Sequence, residues 1–464
     1  MGEWSIQVSG SPKRRARRQV LALVLATSAL LIVTAGALAV TGDLTQPAGT
    51  AGCVSEDGSG PCADGHALKF AGSVAVSPDG KSVYVGSAFG IARFNRNPTT
   101  GAITQPSGTA GCVSETGAGP CADGHGLGNT QAVAVSPDGK SVYVTSGTSN
   151  AVARFNRNTT TGAITQPAGA AGCISEDGSG PCADGHGLFF PIGVTVSPDG
   201  KSVYVASHFS NAVARFERNA TTGAITQPPG TAGCVSEEGT DSCANGHGLD
   251  GASTVAVAPD GKSVYAASSV SDAVVRFNRS TPTGFIGQPA REAGCVSESG
   301  AGPCADGHAL DGAFSVAVAP GGKSVYAASL QSDAVDRFNR STTTGAIRQP
   351  SGTAGCVSGT GAGGCADGHA LTSAGWVAVS PDGKNVYTAS RSSDAVDRFN
   401  RNPTTGAITQ PSGSAGCVSE TGAGLCANGH ALEVPEGVAV SPDGKSVYAA
   451  SVGSDAVARF NRAP

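Results

Sequence analysis

Charged and aromatic residues are scarce in this sequence. Only 14% of the residues are charged and 5% are aromatic, whereas 68 of the 464 residues are glycine. This composition is typical of many short strands joined by tight turns, and not of long helices that carry ion pairs. No heptad repeat or long amphipathic helix is recognisable either. We therefore expect an all-β protein.

Clusters of positive charge are absent after Arg18. The segment that ends there holds five of the 30 basic residues and one of the 35 acidic residues. The remainder has 25 basic and 34 acidic side chains, a net charge of −9. Because nucleic-acid binding needs clustered lysine and arginine to neutralise phosphates, we expect no nucleic-acid partner.

An uncharged apolar stretch from Val20 to Val40 follows the basic segment. This order is typical of an export signal whose positive charges stay on the cytoplasmic side, and Ala37-Leu38-Ala39 offers a cleavage site. The stretch is also long enough to span a bilayer as an uncleaved anchor. We predict an export signal or N-terminal membrane anchor over residues 1–41, which would be the only part of the chain in a membrane.

The rest of the chain repeats one unit seven times. The first cysteines of successive units recur at a nearly constant interval, at Cys53, Cys112, Cys173, Cys234, Cys295, Cys356 and Cys417. A fixed period of this kind indicates tandem duplication within one architecture. We therefore expect a single domain over residues 42–464.

Each unit contains four segments with the pattern of β-strands. In the second unit, Val133–Ser136 alternates valine and alanine and ends at a Pro-Asp-Gly turn, which predicts a hairpin. Ser141–Ser146 and Ala151–Asn156 follow with alternating side chains rich in Val, Tyr and Phe. Ala163–Gln166 supplies a short fourth strand. Four antiparallel strands of this kind make one blade of a propeller.

Seven blades stacked around an axis bury sheet faces that a single blade leaves exposed. The last unit stops near Arg462, after a third strand, whereas the first unit begins with the fourth-strand sequence Asp43–Pro47. We predict that this N-terminal strand completes the last blade and removes exposed edges. The predicted fold is a seven-bladed β-propeller of four-stranded antiparallel blades, closed in this way.

All 14 cysteines fall into seven C-x8-C pairs, and none is left over. In an exported chain this pairing predicts seven disulfides, namely Cys53 with Cys62, Cys112 with Cys121, Cys173 with Cys182, Cys234 with Cys243, Cys295 with Cys304, Cys356 with Cys365, and Cys417 with Cys426. Zinc bound by Cys121, Asp123 and His125 and their equivalents is the alternative, although the spacing is not that of a zinc knuckle. The acidic connector also lacks calcium-loop spacing. We predict no metal and no cofactor, and a structural role for the repeated histidines.

A single functional site should use positions where the seven units differ. They differ most just before the first strand and in the loop between the second and third strands, which share one rim of a propeller. The variable positions combine aromatic side chains with His208, the only histidine outside the repeated position. Such a mixture suits a pocket for a polar small molecule, and the predicted ligand-binding residues are Gln131, Phe190, Asp250, Trp376 and Glu433.

The strand-forming half of each unit carries a recognisable motif. SPDGKSVYVAS followed by AVARFNRNTTTGAIT resembles the blades of the YVTN or lactonase-type seven-bladed propellers, from Val74 to Ile103 in the first unit and from Val438 to Phe460 in the last. Lactonases of that family are thought to use His, Glu and Arg. The resemblance implies His208 or Glu436 as the catalytic base and Arg391 as a clamp for a substrate anion.

Three functions are compatible with these features. Uniform blades, and the absence of G-x-S-x-G, H-E-x-x-H and phosphate-loop motifs, favour a binding or interaction module for a small molecule or a protein at the cell surface. The family resemblance implies a lactonase-like hydrolase of a sugar lactone or related cyclic ester. A disulfide-stapled cell-envelope scaffold is the third possibility. In each case we expect a monomer, secreted or anchored to the outer side of the cytoplasmic membrane.

Overall fold

The computed structural model describes residues 41–300 and 302–464, so the apolar stretch of the predicted export signal or anchor lies outside the described residues. Within the described part, no helix has the length and hydropathy of a membrane span. The described residues form seven β-sheets, and their helical structure is limited to 3-10 turns, at Gly49–Ala51, Gly108–Ala110, Gly169–Ala171, Gly230–Ala232, Arg291–Ala293, Gly352–Ala354, Ala362–Gly364, Arg391–Ser393, Gly413–Ala415 and Ala423–Leu425.

Each sheet is one blade, and its centre is an antiparallel meander of three strands. The inner strands, which surround the axis, are Ser73–Val76, Thr130–Val135, Pro191–Val196, Ala252–Val257, Ala313–Val318, Ala374–Val379 and Pro435–Val440. The second strands are Ser82–Ser87, Ser141–Ser146, Ser202–Ser207, Ser263–Ser268, Ser324–Ser329, Asn385–Ser390 and Ser446–Ser451. The third strands are Gly90–Arg96, Ala151–Arg157, Ala212–Arg218, Ala273–Arg279, Ala334–Arg340, Ala395–Arg401 and Ala456–Arg462. The all-β class and the seven blades are thus confirmed.

Each blade has six strands, and the prediction of four antiparallel strands is corrected accordingly. The fourth strands are Ile103–Thr104, Ile164–Thr165, Ile225–Thr226, Ile286–Gly287, Ile347–Arg348, Ile408–Thr409 and Leu44–Thr45. The cysteine strands are Cys112–Ser114, Cys173–Ser175, Cys234–Ser236, Cys295–Ser297, Cys356–Ser358, Cys417–Ser419 and Cys53–Ser55. The edge strands, parallel to them, are Ala122–Asp123, Ala183–Asp184, Ala244–Asn245, Ala305–Asp306, Ala366–Asp367, Ala427–Asn428 and Ala63–Asp64. The fourth strand and the cysteine strand share one partner, because they pair with opposite ends of the third strand.

The seventh blade combines segments from both parts of the described chain. Its meander ends with Ala456–Arg462, and Leu44–Thr45 pairs with the C-terminal end of that strand, Leu44 opposite Arg462. The cysteine strand Cys53–Ser55 pairs with the N-terminal end of the same strand, Cys53 opposite Ala458. Residues far apart in the chain therefore lie side by side in one sheet.

Buried polar contacts join each blade to its neighbour. Between blades 1 and 2, the Tyr84 hydroxyl donates to the carbonyl oxygen of Gly162 at 2.6 Å and accepts a hydrogen bond from Nε of Arg157 at 2.7 Å. The Arg157 guanidinium also pairs with Asp79 at 3.0 Å. An equivalent Tyr–Arg hydrogen bond occurs at all seven blade junctions. The repeated Tyr, Arg and Asp of the motif thus hold the ring together.

One carboxylate of this repeated set is missing. Where blade 4 has Asp260, which pairs with Arg340 at 2.8 Å, blade 5 has Gly321. Arg401 consequently keeps its hydrogen bond to Tyr326 but has no ion-pair partner among the described residues. A side chain at Gly321 would meet no other atom within 4 Å, so the junction has room for the absent carboxylate.

A disulfide closes each connector between blades. All seven predicted disulfides are confirmed, each with Cα atoms 4.8 Å apart. They join Cys53 to Cys62, Cys112 to Cys121, Cys173 to Cys182, Cys234 to Cys243, Cys295 to Cys304, Cys356 to Cys365, and Cys417 to Cys426. Since disulfides persist outside the reducing cytoplasm, they indicate an extracytoplasmic environment.

The disulfides also bear on the zinc alternative. A zinc site in the connector would need cysteine thiolates, and the second cysteine of each unit is bonded to the first. No three His, Cys, Asp or Glu side chains in the described ranges are grouped as metal ligands. The connector cysteines are therefore structural staples.

The repeated histidines lie in these connectors. The Gln105 side chain donates to the carbonyl oxygen of His66 and accepts from its backbone N–H, both at 2.8 Å. The other six histidines are bound by a glutamine in the same way. In three units the ring Nε2 also lies 3.2–3.4 Å from a glycine carbonyl oxygen of the next connector. These contacts indicate a structural role for the repeated histidines.

Candidate functional site

The two variable segments of each blade lie together on one rim of the ring. The backbone N–H that begins the second-to-third-strand loop donates to the turn before the inner strand of the same blade. Examples are Gly147 to Asn129 at 2.9 Å, His208 to Phe190 at 3.0 Å and Arg391 to Ser373 at 3.1 Å. Because all seven blades share this arrangement, we name this edge of the molecule the variable rim.

A cavity of about 380 Å³ opens on the variable rim. Blades 5, 6, 7, 1 and 2 line it, and blades 3 and 4 do not. Its only charged side chains among the described residues are Arg391 of blade 6 and Glu436 of blade 7. This volume is within the range of small-ligand pockets. We name it the rim cavity.

Arg391 and Glu436 form an ion pair across the junction of blades 6 and 7. The guanidinium Nη2 lies 2.7 Å from Oε1 of Glu436. Glu436 is the second residue of the inner strand Pro435–Val440, which places it near the axis, whereas Arg391 begins the loop of the adjacent blade. Burial raises the pKa of the Glu436 carboxyl above its ordinary value, and the Arg391 charge opposes this shift. A carboxylate of raised basicity beside a fixed cation is suited to proton transfer.

Three aromatic rings also line the rim cavity. Trp376 and Phe314 occupy the inner strands of blades 6 and 5, and their ring centroids are 5.1 Å apart at 60°. Phe70, which is 49% exposed, closes the side formed by blade 1. Gln131 completes the lining from blade 2, and its amide donates to the Asn129 carbonyl oxygen at 3.4 Å. The lining of the rim cavity therefore combines an ion pair with three aromatic rings.

Trp376 also separates the rim cavity from the central channel. The channel holds a space of about 170 Å³ lined by inner-strand residues of all seven blades, Trp376 among them. At the position of Trp376 the other blades have small residues, namely Ser73, Ala132, Gly193, Thr254, Ser315 and Gly437. A single indole among small side chains makes the floor of the rim cavity.

The predicted site residues thus divide into two groups. Arg391, Glu436, Trp376 and Gln131 are brought together in the rim cavity. The other four predicted residues do not line it, and they are His208, Phe190, Asp250 and Glu433.

Three of those residues lie on the part of the rim formed by blades 3 and 4. The His208 ring packs on Phe209 with centroids 5.0 Å apart, and the Phe190 ring lies at the same distance from Phe209. Asp250 accepts backbone hydrogen bonds from the adjacent loop of its own blade. Glu433 is exposed and lines a neighbouring groove that shares Arg391 with the rim cavity.

Phe70, Phe314 and Val452 line the rim cavity without having been among the predicted ligand-binding residues. Phe70 and Phe314 stand at positions that vary among the seven units, so the comparison of units contains a signal for both. The comparison gives no signal for Val452, because a small aliphatic residue in a loop does not stand out in the sequence.

A sequence model of the family described as lactonase, 7-bladed β-propeller, matches residues 118–236 and 194–360. No curated protein matches the chain. Similar solved structures include a putative 6-phosphogluconolactonase from Bacteroides fragilis, with 20% identity, a TM-score of 0.52 and coverage of 73% of this chain and 82% of that chain. They also include the hydrazine synthase of Kuenenia stuttgartiensis, with 18% identity, a TM-score of 0.50 and coverage of 86% and 97%.

A third is the periplasmic gluconolactonase of Pseudomonas aeruginosa, with 17% identity, a TM-score of 0.50 and coverage of 85% of this chain and 91% of that chain. At these identities the solved structures support the fold alone. The sequence match covers more than half of the chain and includes its repeated strand motif. The chain belongs to the lactonase family of seven-bladed β-propellers.

Proposed function

We propose that the rim cavity hydrolyses a lactone, with Glu436 as general base and Arg391 as the cation beside the reacting carbonyl. The observation that carries this proposal is the Arg391–Glu436 pair in a cavity at the mouth of the propeller. Membership of the lactonase family supports it. Two solved structures of the same fold are named as lactonases of sugar acids, which adds support for the class of reaction.

The chemistry follows from the charges of the pair. Glu436 takes a proton from a water molecule while the water oxygen forms a bond to the lactone carbonyl carbon. Negative charge moves from the carboxylate to the carbonyl oxygen, and Arg391 is close enough to stabilise it there. The tetrahedral intermediate then breaks the ring C–O bond. The proton on Glu436 passes to the leaving alkoxide, which gives the open hydroxy acid and restores the carboxylate.

Glu436 is a better base than His208 in this arrangement. Glu436 lines the rim cavity and pairs with Arg391 there, whereas His208 belongs to an aromatic group on blade 3. The raised pKa of Glu436 also gives its carboxylate a greater affinity for the proton of water than an exposed glutamate has.

The test is turnover of a panel of lactones by the wild type, by Glu436→Gln and by Glu433→Gln. Glu433 is an exposed glutamate on the same rim, three residues away, and serves as the matched control. We expect Glu436→Gln to lose about a hundredfold or more in kcat/KM, and Glu433→Gln to retain wild-type activity. Equal activity of all three proteins would remove Glu436 from the mechanism. No turnover of any lactone would favour the binding-module alternative.

We also propose that residues 1–41 export the protein, which then acts outside the cytoplasm as the disulfides suggest. N-terminal sequencing of the exported protein would distinguish cleavage after Ala39 from an uncleaved anchor. A start at Val40 supports a secreted form, and an intact Met1 supports an anchored one.

A further inference from the structure

We infer that the rim cavity selects a lactone with an apolar substituent and no phosphate, an inference that rests on the proposed function. The charge of the lining is the first argument. Within the part of the chain that the structure describes, Arg391 and Glu436 are its only charged side chains, and they neutralise each other. A phosphate dianion is normally bound by arginine or lysine in excess of nearby acids. The rim cavity has no such excess, so a phosphorylated sugar lactone would be bound poorly.

The aromatic side chains of the lining are the second argument. Phe70, Phe314 and Trp376 come from three different blades and face one cavity. Rings of this kind bury apolar substituents and exclude water. They offer few hydrogen bonds to the hydroxyl groups of a sugar, for which the lining supplies little beyond Asn129, Thr130 and Gln131.

Phe70 occupies a backbone position that is left-handed in all seven blades. Its φ is 56°, and the equivalent residues Asn129, Phe190, Ser373 and Val434 have φ values between 50° and 57°. The Phe70 N–H donates a 2.6 Å hydrogen bond to Asp455 of blade 7, as the equivalent N–H of Phe190 does to Asn150. Since Phe70 is half exposed and lines the rim cavity, its ring is accessible to a ligand.

Trp376 sets the depth available to the substituent. Its indole fills a position where the other six blades have Gly, Ala, Ser or Thr, and it closes the way into the central channel. A chain attached to the lactone ring would therefore pack against the rings of Trp376, Phe314 or Phe70 in the rim cavity. The geometry points to a lactone with an alkyl or aryl group of moderate length.

The experiment compares three substrates with the purified full chain. They are γ-butyrolactone, γ-decalactone, which adds a hexyl group to the same ring, and 6-phosphoglucono-δ-lactone corrected for its spontaneous hydrolysis. We expect kcat/KM for γ-decalactone to exceed the other two by about tenfold or more. Phe70→Ala should remove most of this preference over γ-butyrolactone. Phe89→Ala is the matched control, because Phe89 is an exposed phenylalanine of the same blade outside the cavity lining, and it should leave the preference unchanged.

A higher kcat/KM for the phosphorylated lactone would overturn this inference and leave the proposed function standing. Absence of turnover with every lactone would overturn the proposed function. In that case the ligand class is read from binding: in the full chain with Trp4→Phe, Trp376 is the only tryptophan left, and its fluorescence reports occupancy directly. Tighter binding of γ-decalactone would support the apolar ligand class, and tighter binding of the phosphorylated lactone would contradict it.

Discussion

Two carboxyl groups are buried where the other five blades have alanine or valine. Asp336 and Asp397 lie in the third strands of blades 5 and 6 and are completely buried. Each accepts a hydrogen bond from a serine hydroxyl of the second strand, Ser329 at 2.8 Å and Ser390 at 2.6 Å. Burial raises the pKa of both carboxyls well above the ordinary value, and neither forms an ion pair with a described residue.

The sign of the effect on stability follows from these shifts. An unfolded aspartate loses its proton near pH 3.9, whereas the folded protein retains it to a higher pH. Between those two values the unfolded chain binds fewer protons, so the free energy of unfolding decreases as the pH rises. The decrease is about 1.4 kcal/mol per pH unit for each carboxyl. The stabilisation is complete below about pH 4 and is lost toward the raised pKa.

We expect the double variant Asp336→Ala/Asp397→Ala to gain stability relative to the wild type between pH 4 and pH 7. At pH 4 the variant should be less stable by about 1 kcal/mol per site, because two serine hydroxyls lose their acceptors. The blades that have alanine at the position of these aspartates already lack this hydrogen bond. Their equivalent serines Ser146 and Ser207 are buried without a hydrogen-bond partner among the described residues. The gain with rising pH should follow the slope given above.

The assay is guanidinium unfolding of both proteins at several pH values, with the difference in free energy plotted against pH. Asp336→Asn/Asp397→Asn keeps the shape of the side chains and removes the titrating proton, so it should show the same slope. Asp367→Asn, at an exposed aspartate of blade 5, should show no such slope. A difference between wild type and double variant that does not change with pH would refute the reasoning.

Three further outcomes are expected. Gly321→Asp supplies the missing partner of Arg401 and should stabilise the protein by about 1 kcal/mol; an unchanged or lower melting temperature would contradict this. Deletion of residues 42–47 removes a fourth strand from blade 7 and should lower the melting temperature, and an unaltered value would count against closure by that strand. In a pH–rate profile, kcat/KM should rise with pH through the raised pKa of Glu436, and an acid limb that persists in Glu436→Gln would assign it to another group.

The main features of the fold could be predicted from the sequence because they are repeated. The constant period indicated seven blades, and the even cysteine pairs indicated the disulfides, which all form. The second strand of the second unit was predicted with its observed bounds, Ser141–Ser146, since alternating β-branched and aromatic residues end at clear turns.

The cysteine strands and edge strands could not be predicted in this way. Segments of two or three residues such as Cys173–Ser175 and Ala183–Asp184 are too short to show a period of two. The cysteine strand pairs with the third strand, for example Ile174 opposite Val152, and the edge strand pairs with the cysteine strand, for example Ala183 opposite Ile174. Tertiary register of this kind has no local signal in a glycine-rich connector.

Comparison of the seven units located the variable rim but not the position of the cavity around it. Arg391, Glu436 and Trp376 come together because blades 6 and 7 are adjacent. His208 and Phe190 vary just as clearly, yet they belong to blade 3, outside the lining. Which part of the rim is hollow depends on side-chain packing between blades, and the variability of a position does not report it.

Parallel measurement of lactone hydrolysis by Glu436→Gln and His208→Ala tests the central claim most directly, because the sequence left both residues as candidates for the base. We expect Glu436→Gln to lose about a hundredfold or more in kcat/KM while His208→Ala retains activity close to that of the wild type. Full activity in Glu436→Gln together with loss of activity in His208→Ala would contradict the proposed site.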